Sequence, residues 1–169
     1  METVFLYSAF IIGGSVLGYY YEVVLRMFFK MPNQIKLKGP YHPVYGVGIA
    51  LSFLVCTLVT NPWLCLLAVS ATIIVAEYVG GLICNKILKL NLWDYKHFPY
   101  NLHGQICIFH SIGWIAAATI FTFLIFPIIH ATITIPVSLL ITTSSVLIIF
   151  LHFNLALFSN WFDKEKRIR

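Results

Sequence analysis

Only six acidic residues occur among the 169 of this chain, and three of them stand where they could do chemistry. Glu22 and Glu77 interrupt long apolar runs, and Asp94 lies in a polar connector between two such runs. Glu22 falls eight residues before Lys30, and Glu77 nine before Lys86. At a helical rise of 1.5 Å per residue, both carboxyl groups sit roughly 12–14 Å from those basic ends. A carboxyl at mid-membrane costs about 2.5–3.5 kcal/mol even on the lenient insertion scale, so it must face a bundle interior or a wet cavity. Such a group can bind a cationic moiety, an ion or a proton. Two of them, with proton affinities separated by their surroundings, can serve as acid and base.

The spacing around both glutamates points inward. Gly14, Gly18 and Glu22 recur at i, i+4 and i+8, so the carboxyl shares a face with a small-residue packing stripe. Ser70, Glu77, Gly81 and Cys84 fall on one side of a later run. The plain alternative is hydrogen-bond glue between helices, with Tyr hydroxyls as partners and Arg26 one turn below Glu22.

Two polar segments flank these runs. "LKGPYHPVYGVG" begins at Leu37. Gly39, Pro40 and Pro43 impose a stiff turn. Tyr41, His42 and Tyr45 then stand at the membrane entrance as interfacial anchors or as a pocket wall, and Gly46 and Gly48 permit close helix approach. "LNLWDYKHFPYNLHGQICIFH" runs from Leu90 to His110 and is broken by Pro99. Asp94 and Tyr95 precede the break, Asn101 can cap the helix that follows, and Gln105 lies one turn on. Folded over the bundle mouth, this connector would bring Asp94, Asn101 and Gln105 toward Glu22 and Glu77. Polar backbone at that depth requires protein or cavity water to satisfy it.

The elements that must position these residues are membrane helices. The chain is 60% hydrophobic and 10% charged, with a mean hydropathy of +0.88. A soluble domain of this size cannot hide that much apolar surface. Runs of about 20 apolar residues recur, and the expected fold is all-α, a single polytopic membrane domain with five spans. They cover about 4–29, 43–60, 62–87, 103–126 and 136–161, with Asn61 and Pro62 opening the third and Pro127 stopping the fourth. The N-terminus lacks a basic region and reads as a first span rather than a cleaved leader.

The eleven Lys and Arg residues cluster at the ends of the first and third spans and after them, and after the fifth, and the 60–62 turn and the 127–136 loop carry none. That alternation puts the N-terminus outside and the C-terminus in the cytoplasm. The net charge of +5 is explained by this placement and does not point to nucleic acid. The four cysteines show no CxxC spacing and read as buried thiols. No HxxxH or HExxH pair, nucleophile elbow or P-loop occurs, so no metal or cofactor is expected.

A family pattern is carried by "YYYEV" around Glu22, "GPYHPVYGVG" from Gly39, "AEYVGG" around Glu77, "WDY" from Trp93 and "NLHGQIC" from Asn101. In that order they resemble the small bacterial membrane proteins of the putative ABC-transporter permease (type IV) family, from about Phe5 to Ile129. The family pattern has Ser after Trp-Asp-Tyr and Gly-Arg-Ile-Cys later. Lys96 and Gln105 stand at those positions here, and the second change removes a charged partner for a carboxyl. The resemblance implies a transport-related subunit of a bacterial cell membrane, working as a homo-oligomer or with a partner membrane subunit. A separate ATPase is implied if ATP drives it.

In this reading Glu22, Glu77, Asp94, Tyr95, Asn101, Gln105 and Tyr45 meet a small or amphiphilic substrate from the cytoplasmic leaflet. Gly14, Gly18, Gly39, Pro40, Pro43, Gly46 and Gly81 serve turns and packing. An intramembrane enzyme acting on a lipid or lipid-linked substrate, and a structural or regulatory membrane module, are the alternatives.

Overall fold

The computed structural model describes residues 2–28, 39–90 and 92–168, without the side chains of Glu2, Leu25, Arg26 and 157–168. Much of the basic signal lies outside the described residues or side chains: Arg26, Lys30, Lys36, Lys38, Lys164, Lys166, Arg167 and Arg169.

The described chain is helical apart from one small hairpin. In order it runs α1 (Glu2–Ser8), a π segment (Ala9–Gly13), α2 (Gly14–Phe28), α3 (Pro43–Leu58), α4 (Pro62–Gly81) and a second π segment (Leu82–Ile87). Strands β1 (Asn101–Leu102) and β2 (Ile106–Cys107) follow. Helix α5 (Ile108–Ile120), a third π segment (Phe121–Ile125), α6 (Phe126–Thr132) and α7 (Ile135–Ile168) complete the chain. Asn61 caps α4: its Oδ1 accepts from the N–H groups of Trp63 and Leu64, at 3.1 and 3.0 Å. Pro62 takes the first helical position, where a missing N–H costs nothing.

Four stretches are long and apolar enough to cross a membrane: Thr3–Val24, Pro62–Ile87, Ile108–Thr132 and Ile135–Ala156. Their outward faces carry large apolar side chains such as Leu17, Leu67, Leu140 and Phe150, as a lipid solvent requires. Helix α3 is apolar but has only 16 residues. At 1.5 Å per residue that is roughly 24 Å, short of a hydrocarbon core of about 30 Å.

The fourth apolar helix differs from the 103–126 expectation at both ends. It begins at Ile108, because His103 and Gly104 form the tip of the hairpin with φ of 54° and 72°. Gln105 N–H donates to Leu102 O across that tip at 3.0 Å. Positive φ at both central positions is the type I′ turn that suits a twisted hairpin. Nor does Pro127 end the helix. A proline lacks an N–H and its ring collides with the carbonyl four residues back, but the π segment just upstream takes that stretch out of α register. The helix continues to Thr132, and only Ile133 and Thr134 separate it from α7.

The chain packs as two compact units. The first comprises, of the described residues, 2–28, 39–46 and 135–168, and so joins α1, α2, the first turn of α3 and α7. Its helices meet through small residues. A Cβ on Gly13 would strike Ile141 of α7, and one on Gly46 would strike the Ile11 carbonyl and the Ser15 hydroxyl. The second unit comprises, of the described residues, 47–90 and 92–134: the rest of α3, α4, the hairpin, α5 and α6.

Candidate functional site

The second unit holds the more complete polar site. Glu77 is 4% exposed on α4. The Tyr95 hydroxyl, from the connector, donates to its Oε1 at 3.0 Å. Its Oε2 is buried and makes no hydrogen bond of ordinary geometry, and the Trp114 indole of α5 stands beside the carboxyl. The His110 ring stacks on Tyr95 with centroids 4.1 Å apart, and His110 Nδ1 lies 3.1 Å from the Cys107 sulfur. Chemically this is a buried acid group met by the Tyr95 hydroxyl and flanked by the Trp114 indole.

The connector reaches Glu77 because a buried amide network seats it on the π segment that follows α4. Asn85 Nδ2 donates to the Trp93 carbonyl and to Gln105 Oε1, both at 2.9 Å. Asn85 Oδ1 accepts from Leu92 N–H at 2.7 Å. Trp93 Nε1 donates to the Gln105 carbonyl at 2.9 Å, and Gln105 Nε2 to that of His103 at 3.1 Å. Gly81 provides the room, since a Cβ there would come within 2.6 Å of Gln105 Oε1. Gln105, standing where the family pattern has Arg, thus hydrogen-bonds amides and carbonyls.

Asp94 and Asn101 shape the hairpin. Asp94 Oδ1 accepts from Lys96 N–H at 3.0 Å, and its other oxygen pairs with Lys96 Nζ at 3.6 Å on an open surface. Asn101 does not cap α5, whose N-cap position is Cys107. Its side chain instead donates to the Phe98 carbonyl at 2.8 Å and accepts from Gly104 N–H at 3.0 Å, closing the turn. The reason is the short β1–β2 pairing: Asn101 lies opposite Cys107, the chain reverses at His103 and Gly104, and α5 begins only at Ile108.

Glu22 and Tyr45 belong to the first unit. His42, 3% exposed, brings its Nε2 to 3.3 Å from Glu22 Oε2, and the Tyr45 hydroxyl lies 3.5 Å from the same oxygen. His42 and Tyr45 rings meet edge to face at 4.9 Å. The turn that sets them is fixed by Gly39 at φ 85° and by the His42 N–H donating to the Ser15 carbonyl at 3.0 Å. Gly18 lies directly under Tyr45, where no Cβ would fit. Gly48, by contrast, faces open space and is not a packing contact. Pro40 is buried in the turn, Pro43 opens α3, and Gly14 is buried at the start of α2. Among the described residues, no group of three or more His, Cys, Asp or Glu could hold a metal ion.

The family described as Putative ABC-transporter type IV matches residues 8–158, a stretch that includes every residue named above in the two polar groups. The chain belongs to that family. With four helices apolar enough to cross a bilayer, the family member is a transport-related membrane protein. No curated protein and no solved structure matches it.

Four residues at these sites escape a reading built on acidic groups and the connector: His42 as the Glu22 neighbour, and Asn85, His110 and Trp114 around Glu77. The signal for three of them is helical spacing. Asn85 follows Glu77 and Gly81 at successive steps of four, and His110 and Trp114 are four apart on α5.

Proposed function

We propose that this family member is the membrane subunit of a transport system, and that Glu77 beneath the 92–107 hairpin receives the cationic part of a small or amphiphilic substrate. The observation that carries this reading is the burial of the Glu77 carboxyl under an element that leaves the helix bundle and folds back onto it. Tyr95 holds one carboxyl oxygen and the hairpin serves as the gate. Asp94, Asn101 and Gln105 set the hairpin's shape and seating. Glu22 with Tyr45 and His42 supplies a second polar station in the other unit.

The chain crosses a bacterial cell membrane five times, with the N-terminus outside and the C-terminus in the cytoplasm. The grouping of basic residues supports this orientation. The short α3 is the fifth span, extended at its ends by the 39–42 turn and by Val59–Asn61. Five spans are few for a transport path, so the subunit works with a second copy or a partner membrane subunit, and a separate ATPase drives it.

The test uses tetraphenylphosphonium, an amphiphilic organic cation, as probe. Purified protein in detergent micelles is titrated with it and compared with the Glu77→Gln variant. Loss of the charge interaction is expected to weaken binding by about tenfold, equivalent to about 1.4 kcal/mol, with thermal stability retained. Equal affinity in the two proteins would remove Glu77 from the site.

A further inference from the structure

At the other end of the second unit, two thiols face one another across a tight turn. Cys56 lies in the last turn of α3 and Cys65 in the first turn of α4, and both are buried. Their sulfur atoms are 3.0 Å apart, about 1 Å beyond the length of a covalent S–S bond. All four cysteines of the chain are free thiols.

The framework around the pair is well braced. Asn61 caps α4 through two backbone N–H groups, and its own carbonyl accepts from Cys65 N–H at 2.8 Å. The Val59 N–H continues the α3 ladder to the Val55 carbonyl at 2.9 Å. The buried Thr122 hydroxyl, from the π segment after α5, lies beside Cys56. Small side chains placed only to fill space need not face each other. Here both ends of a three-residue connection deliver sulfur to the same point.

We infer that Cys56 and Cys65 form a reversible disulfide that clips the α3–α4 helical hairpin. The chemistry is thiol–disulfide exchange with an oxidant of the disulfide class. The sulfur of Cys56, the more exposed residue of the two at 7% against 3%, attacks the oxidant's S–S bond. A mixed disulfide forms and one thiol of the oxidant leaves with a proton. The Cys65 sulfur then attacks the Cys56 sulfur, the internal S–S bond forms, and the second thiol leaves with the other proton. Two protein thiols are oxidised and one oxidant disulfide is reduced. The pair stands on its own geometry, independent of any role for Glu77. The orientation proposed above would place it on the outer side, where disulfides persist.

The test treats the full-length protein in detergent micelles with dithiodipyridine, a small apolar disulfide. The protein is then denatured, alkylated with N-ethylmaleimide, digested and analysed by mass spectrometry. The expected result is a cross-linked peptide joining Cys56 to Cys65, with neither sulfur carrying a pyridyl or maleimide group. In Cys56→Ser the Cys65 sulfur should instead retain a pyridyl adduct. Pyridyl or maleimide groups on both residues of the unsubstituted protein would overturn the inference. So would a bond from either residue to Cys84 or Cys107.

Discussion

At the scale of single residues, the consequential groups are buried polar atoms and the small residues that let helices approach them. Tyr95 donates to a carboxyl oxygen that is nearly out of contact with solvent. Removing its hydroxyl leaves that acceptor unsatisfied, a loss of about 1–3 kcal/mol. Tyr95→Phe should therefore lower the thermal unfolding temperature in detergent micelles, and an unchanged transition would mean that the bond contributes nothing. Two glycines of α3 provide a contrast. A Cβ at Gly46 meets a backbone carbonyl that cannot swing away, whereas one at Gly48 meets nothing within 4 Å. Gly46→Ala should destabilise by about 1–3 kcal/mol. Gly48→Ala should be neutral or stabilising by up to about 1 kcal/mol, through helix propensity alone. The same unfolding measurement checks both.

At the scale of elements, the hairpin is the part that departs from plain helix packing. It is held chiefly by Asn85, in the π segment that follows α4, which bonds Trp93 on one side of the turn and Gln105 on the other. Asn85→Ala removes those bonds and strands the Leu92 N–H. The hairpin should then open more often, and limited trypsin cleavage after Lys96 should rise about tenfold, for about 1.4 kcal/mol of lost seating. Cleavage at the unsubstituted rate would show that Asn85 does not hold it.

The apolar helices and the inward face of Glu77 were legible in the sequence, because length and a period of 3.6 residues report them directly. The hairpin was not. Strands of two residues have no measurable period, and His103, which takes a left-handed conformation, sits beside an apolar run that extends the helical pattern backwards. The π segment before Pro127 is equally silent, since one widened turn leaves hydropathy unchanged. The shared face of Glu77, Gly81 and Asn85 could have been extended from the spacing alone. The pairing of His42 with Glu22 joins residues 20 positions apart and depends on how the turn after Gly39 returns.

At the scale of the whole molecule, the proposed function depends on orientation and on access to Glu77. In a variant with its native cysteines replaced, a single cysteine at Thr60 should react from outside intact cells with a membrane-impermeant maleimide. A single cysteine at Lys96 should react only after the membrane is opened. The opposite pattern would reverse the topology and move the hairpin to the outer face. Membership of the Putative ABC-transporter type IV family directs attention to a transported substrate, and the buried Glu77 carboxyl directs it to one with a cationic part. The most direct measurement is carbodiimide labelling of Glu77, followed by mass spectrometry, with and without saturating tetraphenylphosphonium. The cation should protect Glu77 from labelling. Labelling of Glu77 at the same rate under both conditions would show that the cation does not bind there.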